Sequence, residues 1–114
     1  MNTKMAPDVT GTWRRSDQLI VKLFFQNGGE LWSEPFALTP DYGHYLRGRY
    51  NLGEQCYDFT VYRTTNATGC VTEMYGKLYK IDDDNLRWKI HSTDGKCDLG
   101  TGYSEDFPFT RTKG

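Results

Sequence analysis

The sequence lacks most of what would name a chemistry directly. Its only imidazoles are His44 and His91 and its only thiols Cys56, Cys70 and Cys97, and these five have none of the paired short spacings of a structural zinc site. The acidic stretch Asp82-Asp83-Asp84-Asn85 is missing the alternating oxygens, glycine and distal glutamate of a calcium loop. There is no Gly-x-Ser-x-Gly elbow, no phosphate-cradling glycine loop and no His-Glu-x-x-His. No cofactor or metal is therefore expected. Charge of one sign is also missing: fourteen Lys and Arg against fifteen Asp and Glu leave −1, which offers no long-range attraction to nucleic acid or an anionic membrane. The longest apolar run, Leu19-Ile20-Val21, is broken by Lys22 before Leu23-Phe24-Phe25 resumes it, far short of a membrane span. The first residues, Met1 to Pro7, contain no apolar leader core. The expectation is a cytoplasmic protein, or a secreted one whose leader was removed, with the choice left open.

Helical periodicity is missing too. No stretch of ten or more residues repeats its apolar positions at three and four. What fills the chain instead is alternation. Leu19, Val21, Leu23 and Phe25 share one parity and end at Asn27-Gly28-Gly29, a hairpin turn. A run over 30–38 puts Trp32, Phe36 and Leu38 on one parity, with Pro35 as a break or bulge. Further runs follow over 44–52, 56–63, 70–81 and 86–91, then a glycine-rich loop over 92–102 with room for a short strand near Cys97, and a last strand from Phe107 to Arg111. Polar turns separate them, among them Thr39-Pro40-Asp41-Tyr42-Gly43. A chain of 114 residues is one domain. The pattern predicts an all-β fold, a single antiparallel up-and-down barrel of about eight strands, since closure removes the edges an open sheet would expose. Residues 1–9 have no period and are expected to form a flexible lead-in, with the barrel over 10–114.

Taking the apolar parity of each strand as inward assigns the interior. Its polar and aromatic members are Trp32, His44, Tyr50, Tyr57, Thr72 and Trp88, with Glu34 and Arg63 nearer the strand ends. A mostly apolar hollow with a few directed polar groups is the usual small-molecule site. Gly48 and Gly76 fall on the same inward parity. Glycine within a strand costs about 0.5–1 kcal/mol against alanine, so each marks either space for a ligand or a corner where the sheet bends. Cysteine pairing is undecided between one disulfide with one thiol and three thiols. Asn66-Ala67-Thr68 reads as a glycosylation acceptor, and equally as ordinary turn chemistry.

Gly11-Thr12-Trp13 at the start of the first strand, with Arg111 just after the last apolar one, would let a guanidinium lie across an indole and close one end of the barrel. This pairing resembles the signature of the calycins, the group of lipocalins, avidins and fatty-acid-binding proteins. The chain differs from each branch: no helix follows Arg111 as in lipocalins, Ser16-Asp17-Gln18 leaves no room for the two helices of fatty-acid-binding proteins, and the later tryptophan-rich strands of avidins have no counterpart. Biotin binding is therefore not implied. The resemblance implies a compact meander barrel that holds an apolar or aromatic small molecule.

Three functions follow as expectations. The first is a binding protein for a small apolar or aromatic ligand, in which Trp32, Tyr50, Tyr57 and Trp88 supply ring contacts while His44 and Thr72 orient a polar group. The second is a metal-free cyclase or isomerase of the same shape, with His44 acting beside Glu34 or Tyr50. The third is a protein-binding module or protease inhibitor working through the outer face or residues 1–9. Nucleic acid and membrane are not expected partners; self-association is left open.

Overall fold

The computed structural model describes residues 6–26 and 28–112. Eight strands run in chain order around a closed barrel: β1 (Gly11–Arg14), β2 (Ile20–Gln26), β3 (Glu30–Ser33), β4 (Tyr42–Asn51), β5 (Cys56–Thr65), β6 (Cys70–Asp82), β7 (Asn85–Thr93) and β8 (Glu105–Arg111). Each pairs antiparallel with its neighbours, and β8 returns to β1 through Trp13 opposite Arg111 and Arg14 opposite Thr110. No helix occurs among the described residues. The architecture is the up-and-down meander that the alternation predicts.

Inward parity follows the apolar residues in most strands. Val21 and Leu23 of β2, Leu46 of β4, Tyr57, Phe59 and Val61 of β5, Met74 and Leu78 of β6, and Leu86, Trp88 and Ile90 of β7 are all buried in one core. In β3 the expected parity is reversed. Leu31 and Ser33 are buried, while Trp32 points outward and stacks on Phe24 at 5.9 Å. The reason is the break at Glu34-Pro35: regular β3 ends at Ser33, and Phe36 re-enters the sheet through a single bridge to His44, which resets the in-out phase.

Other expectations shift less. The last strand begins at Glu105 rather than Phe107, and no strand forms near Cys97, where Cys97 and Asp98 turn through positive φ. Cys70 and Cys97 form a disulfide and Cys56 is a buried thiol. The turn glycines Gly28 and Gly29 both have positive φ, while Asn27 lies outside the described residues.

One end of the barrel is filled. The carbonyl of Pro7 accepts the Tyr57 hydroxyl, Val9 is fully buried, and the Val9 carbonyl accepts the Trp13 indole N–H at 3.0 Å. The expected loose lead-in over 1–9 thus meets a packed stretch at its described end, residues 6–9; residues 1–5 lie outside the described residues. In the middle, Trp88 stacks on Phe109 at 5.0 Å and packs against Phe59 at 5.1 Å. Among the described residues a cavity remains at the opposite end, where β4 begins and β5 finishes.

Candidate functional site

At that open end the strands surround a cavity of about 280 Å³ lined by Phe36, Tyr42, His44, Met74 and Trp88 together with charged groups. Its walls follow from the pairing register. His44 of β4 and Arg63 of β5 are cross-strand partners in the wall, Thr72 of β6 continues their row behind the lining, and Trp88 also lines the cavity, its ring 6.1 Å from that of Phe36. The segments after β3 and β7 bring Leu38, Thr39 and Tyr103 to the rim.

His44 is held by its neighbours in the barrel. Its ring lies parallel to Phe36 at 5.2 Å, and Nδ1 is 3.3 Å from the Phe36 carbonyl oxygen. A carbonyl can only accept, so the neutral ring carries its proton on Nδ1, which leaves Nε2 as its acceptor. Burial pushes the pKa of His44 below the ordinary imidazole value, the Phe36 carbonyl opposes this, and the charge of Arg63 adds to it.

The cations of the mouth differ in how they are satisfied. Arg15 pairs with Asp17 at 2.6 Å and approaches Glu105 at 3.7 Å, and lies over the ring of Phe107. Glu105 also accepts the Trp88 indole N–H at 2.9 Å and the Tyr103 hydroxyl. Burial, reinforced by that carboxylate, pushes Tyr103 up to about 12. Arg63 projects inward over the Tyr42 ring at 4.3 Å. Its Nε is buried and has no hydrogen-bond partner among the described residues, although a buried guanidinium N–H ordinarily finds an acceptor.

The residues singled out from sequence are only partly brought together. His44 and Trp88 line the mouth. Tyr50 and Tyr57 are in ring contact with each other at 5.1 Å, but at the filled end; six residues of extended strand separate Tyr50 from His44, about 20 Å. Thr72 is fully buried and its hydroxyl donates to the Lys96 carbonyl at 3.0 Å, so it fastens the loop after β7. Trp32 is outside the barrel, and Glu34 is exposed. His44 therefore has neither Glu34 nor Tyr50 beside it. The carboxylate that shares its cavity is Glu105, already engaged by Trp88 and Tyr103.

Glu105, Tyr103, Tyr42 and Arg15 are mouth residues that the alternation did not single out. For Glu105 and Tyr103 a signal exists: they continue the parity of Phe107 and Phe109. Gly48 and Gly76 leave no ligand space inside the barrel. A Cβ on Gly48 would come within 2.5 Å of the Asp58 carbonyl oxygen, and one on Gly76 within 2.2 Å of the Lys89 carbonyl oxygen and 2.8 Å of the Phe59 ring. Gly76 also sits at a register shift in the β6–β7 ladder.

Compared with known proteins, the chain matches no protein-family model and no curated protein sequence. The barrel is compatible with a calycin-like fold as a description of architecture.

Proposed function

We propose that the protein is a small-molecule-binding β-barrel whose ligand has an apolar or aromatic body and an anionic group. The observation that carries this reading is the buried, unpartnered Nε of Arg63 at the wall of a cavity whose apolar side is Phe36, Met74 and Trp88 and whose one carboxylate, Glu105, is already engaged by Trp88, Tyr103 and Arg15. Burying an unsatisfied cationic donor is unfavourable, and a carboxylate entering the mouth would relieve it with a charge-assisted hydrogen bond. The body of such a ligand would lie on Trp88 and Phe36, and His44 Nε2 would accept a hydrogen bond from any donor it carries. A volume of about 280 Å³ is at the lower edge of small-molecule pockets, which fits a monocyclic or bicyclic acid. The Cys70–Cys97 cross-link fits a protein that works in an oxidising compartment.

The test is a fluorescence titration of the whole chain with naphthoate and indoleacetate, each beside its neutral alcohol analogue. The acids are expected to bind at least tenfold more tightly than the alcohols, and Arg63→Gln is expected to abolish the difference. Failure of every acid to bind, or a preference that survives Arg63→Gln, overturns the reading.

A further inference from the structure

The barrel carries a second concavity on its outer face, a trough of about 730 Å³ that runs across β3 to β7 and shares none of the mouth residues. It runs past the pair of inward glycines. Leu31, Gly48, Phe59 and Gly76 are successive register partners on β3, β4, β5 and β6. At Gly48 and Gly76 no side chain stands between the strand and Phe59, a Cβ on either falling within 2.9 Å of a Phe59 carbon, and both glycines line the trough. The residues one step along each strand rise around it. Trp32, Arg47, Thr60 and Tyr75 form the matching outward row, again as register partners.

We propose that this trough binds a neutral oligosaccharide. Trp32 and Tyr75 stand three strand spacings apart, up to about 14 Å, the reach of a short chain of sugar rings rather than one. Both aromatic side chains are held in advance, Trp32 by its stack on Phe24 and Tyr75 by its hydroxyl bond to Glu73 at 3.1 Å, so little side-chain freedom is lost on binding. The negative face of an aromatic ring attracts the weakly positive C–H face of a pyranose.

Arg47 and Thr60 lie between the rings, and the next outward row, Glu30, Arg49, Asp58 and Lys77, adds donors and acceptors of both signs. Arg49 pairs with Glu30 at 3.3 Å, and Asp58 accepts from Lys77 at 2.6 Å. Lys77 also pairs with Glu54 at 2.9 Å, so Arg47, Arg49 and Lys77 are balanced by Glu30, Asp58 and Glu54, which gives no counterion-release drive for a polyphosphate. The planar guanidinium and carboxylate of the Arg49–Glu30 pair do suit vicinal hydroxyls, which donate and accept at once. Charge balance therefore selects a polyol over a polyanion as the occupant.

The experiment is isothermal titration of the full chain with cellohexaose, xylohexaose, maltohexaose and chitohexaose, and separately with oligothymidylate, at low and high salt. At least one hexasaccharide is expected to bind with an affinity that salt does not change. Trp32→Ala and Tyr75→Ala should each weaken it tenfold or more without altering the circular dichroism of the barrel, while Arg63→Gln in the mouth leaves it intact. The proposal is overturned if none of the four sugars binds, or if both aromatic variants bind as the parent does. It is equally overturned if oligothymidylate alone binds and is lost at high salt, or if the face proves to be a dimer contact, seen as self-association that Trp32→Ala abolishes.

Discussion

The guanidinium carbon of Arg111 lies 4.3 Å from the centre of the Trp13 indole, and the two residues face each other across the β1–β8 seam that closes the barrel. Arg111 does more than cover the ring. Its Nε donates to the Asp83 carbonyl at 2.7 Å and one terminal nitrogen donates to the Thr10 carbonyl at 2.8 Å, so one side chain ties the β6–β7 turn to the start of β1. Gly11 makes the arrangement possible: it has φ of +144°, and a Cβ there would fall 2.3 Å from an Arg111 nitrogen.

Arg111→Lys should therefore lose both the flat stack and the forked donation, since an ammonium cannot reproduce either. The expected loss is about 1–3 kcal/mol, read as a lower urea midpoint with an unchanged slope. Gly11→Ala should cost a similar amount through backbone strain and the clash. A Gly11→Ala midpoint equal to the parent's would show that the seam does not depend on this contact.

Gly76→Ala should destabilise by about 1–3 kcal/mol as a local overpacking. The informative comparison is with Gly76→Ala combined with Phe59→Leu. Shrinking Phe59 removes the ring contact at 2.8 Å but leaves the Lys89 carbonyl oxygen at 2.2 Å, so the double variant should show no rescue in chemical denaturation. Full rescue would mean that the ring alone requires the glycine.

Much of this was legible because strand alternation is a strict code wherever one face is buried. Val21, Leu23, Leu46, Phe59, Val61, Leu78, Trp88 and Ile90 all turn inward as their spacing requires. Trp32 reads as inward because Phe36 and Leu38 continue its parity, and only the break at Glu34-Pro35 shows that the phase resets. The mouth was half legible. His44 and Trp88 sit on clear strands, whereas Tyr103 belongs to the loop after β7, and the engagement of Glu105 and Thr72 depends on distances that no pattern carries. Tyr50 and Tyr57 shared the right face but the wrong end, because parity reports facing and is silent about depth along the barrel.

The disulfide should matter more for the open end than for the barrel as a whole. Cys70 and Cys97 are 27 residues apart in sequence, and a loop of that length corresponds to about 3.5 kcal/mol of closure entropy in the unfolded chain. The Cys70→Ala/Cys97→Ala variant should lose most of that in chemical denaturation, and amide exchange should rise first over 94–103, the segment that also supplies Tyr103 to the mouth. A thiol reagent should find no accessible group in the native protein and one per chain in denaturant, because Cys56 is buried and burial pushes its thiol pKa up. Rapid labelling of the native protein would contradict this placement.

His44 should make the barrel less stable as the solution is acidified through the imidazole range. Its folded-state pKa is lowered, first by burial, with Arg63 adding to the effect, whereas the unfolded chain titrates near about 6.5. As pH falls below that value the unfolded state takes up a proton that the folded state refuses, so stability declines; it levels off only once the folded ring is protonated as well. Above the window the two states bind equally and no effect is expected. His44→Phe keeps a flat ring against Phe36 without a titrating group, so its stability between about pH 7 and pH 5 should fall less than that of the parent. Arg63→Gln removes the like charge and should move the His44 titration upward, which proton NMR of the ring reads directly. A His44 that titrates at or above the unfolded value would show that burial and Arg63 do not outweigh the Phe36 carbonyl and Glu105 at this ring.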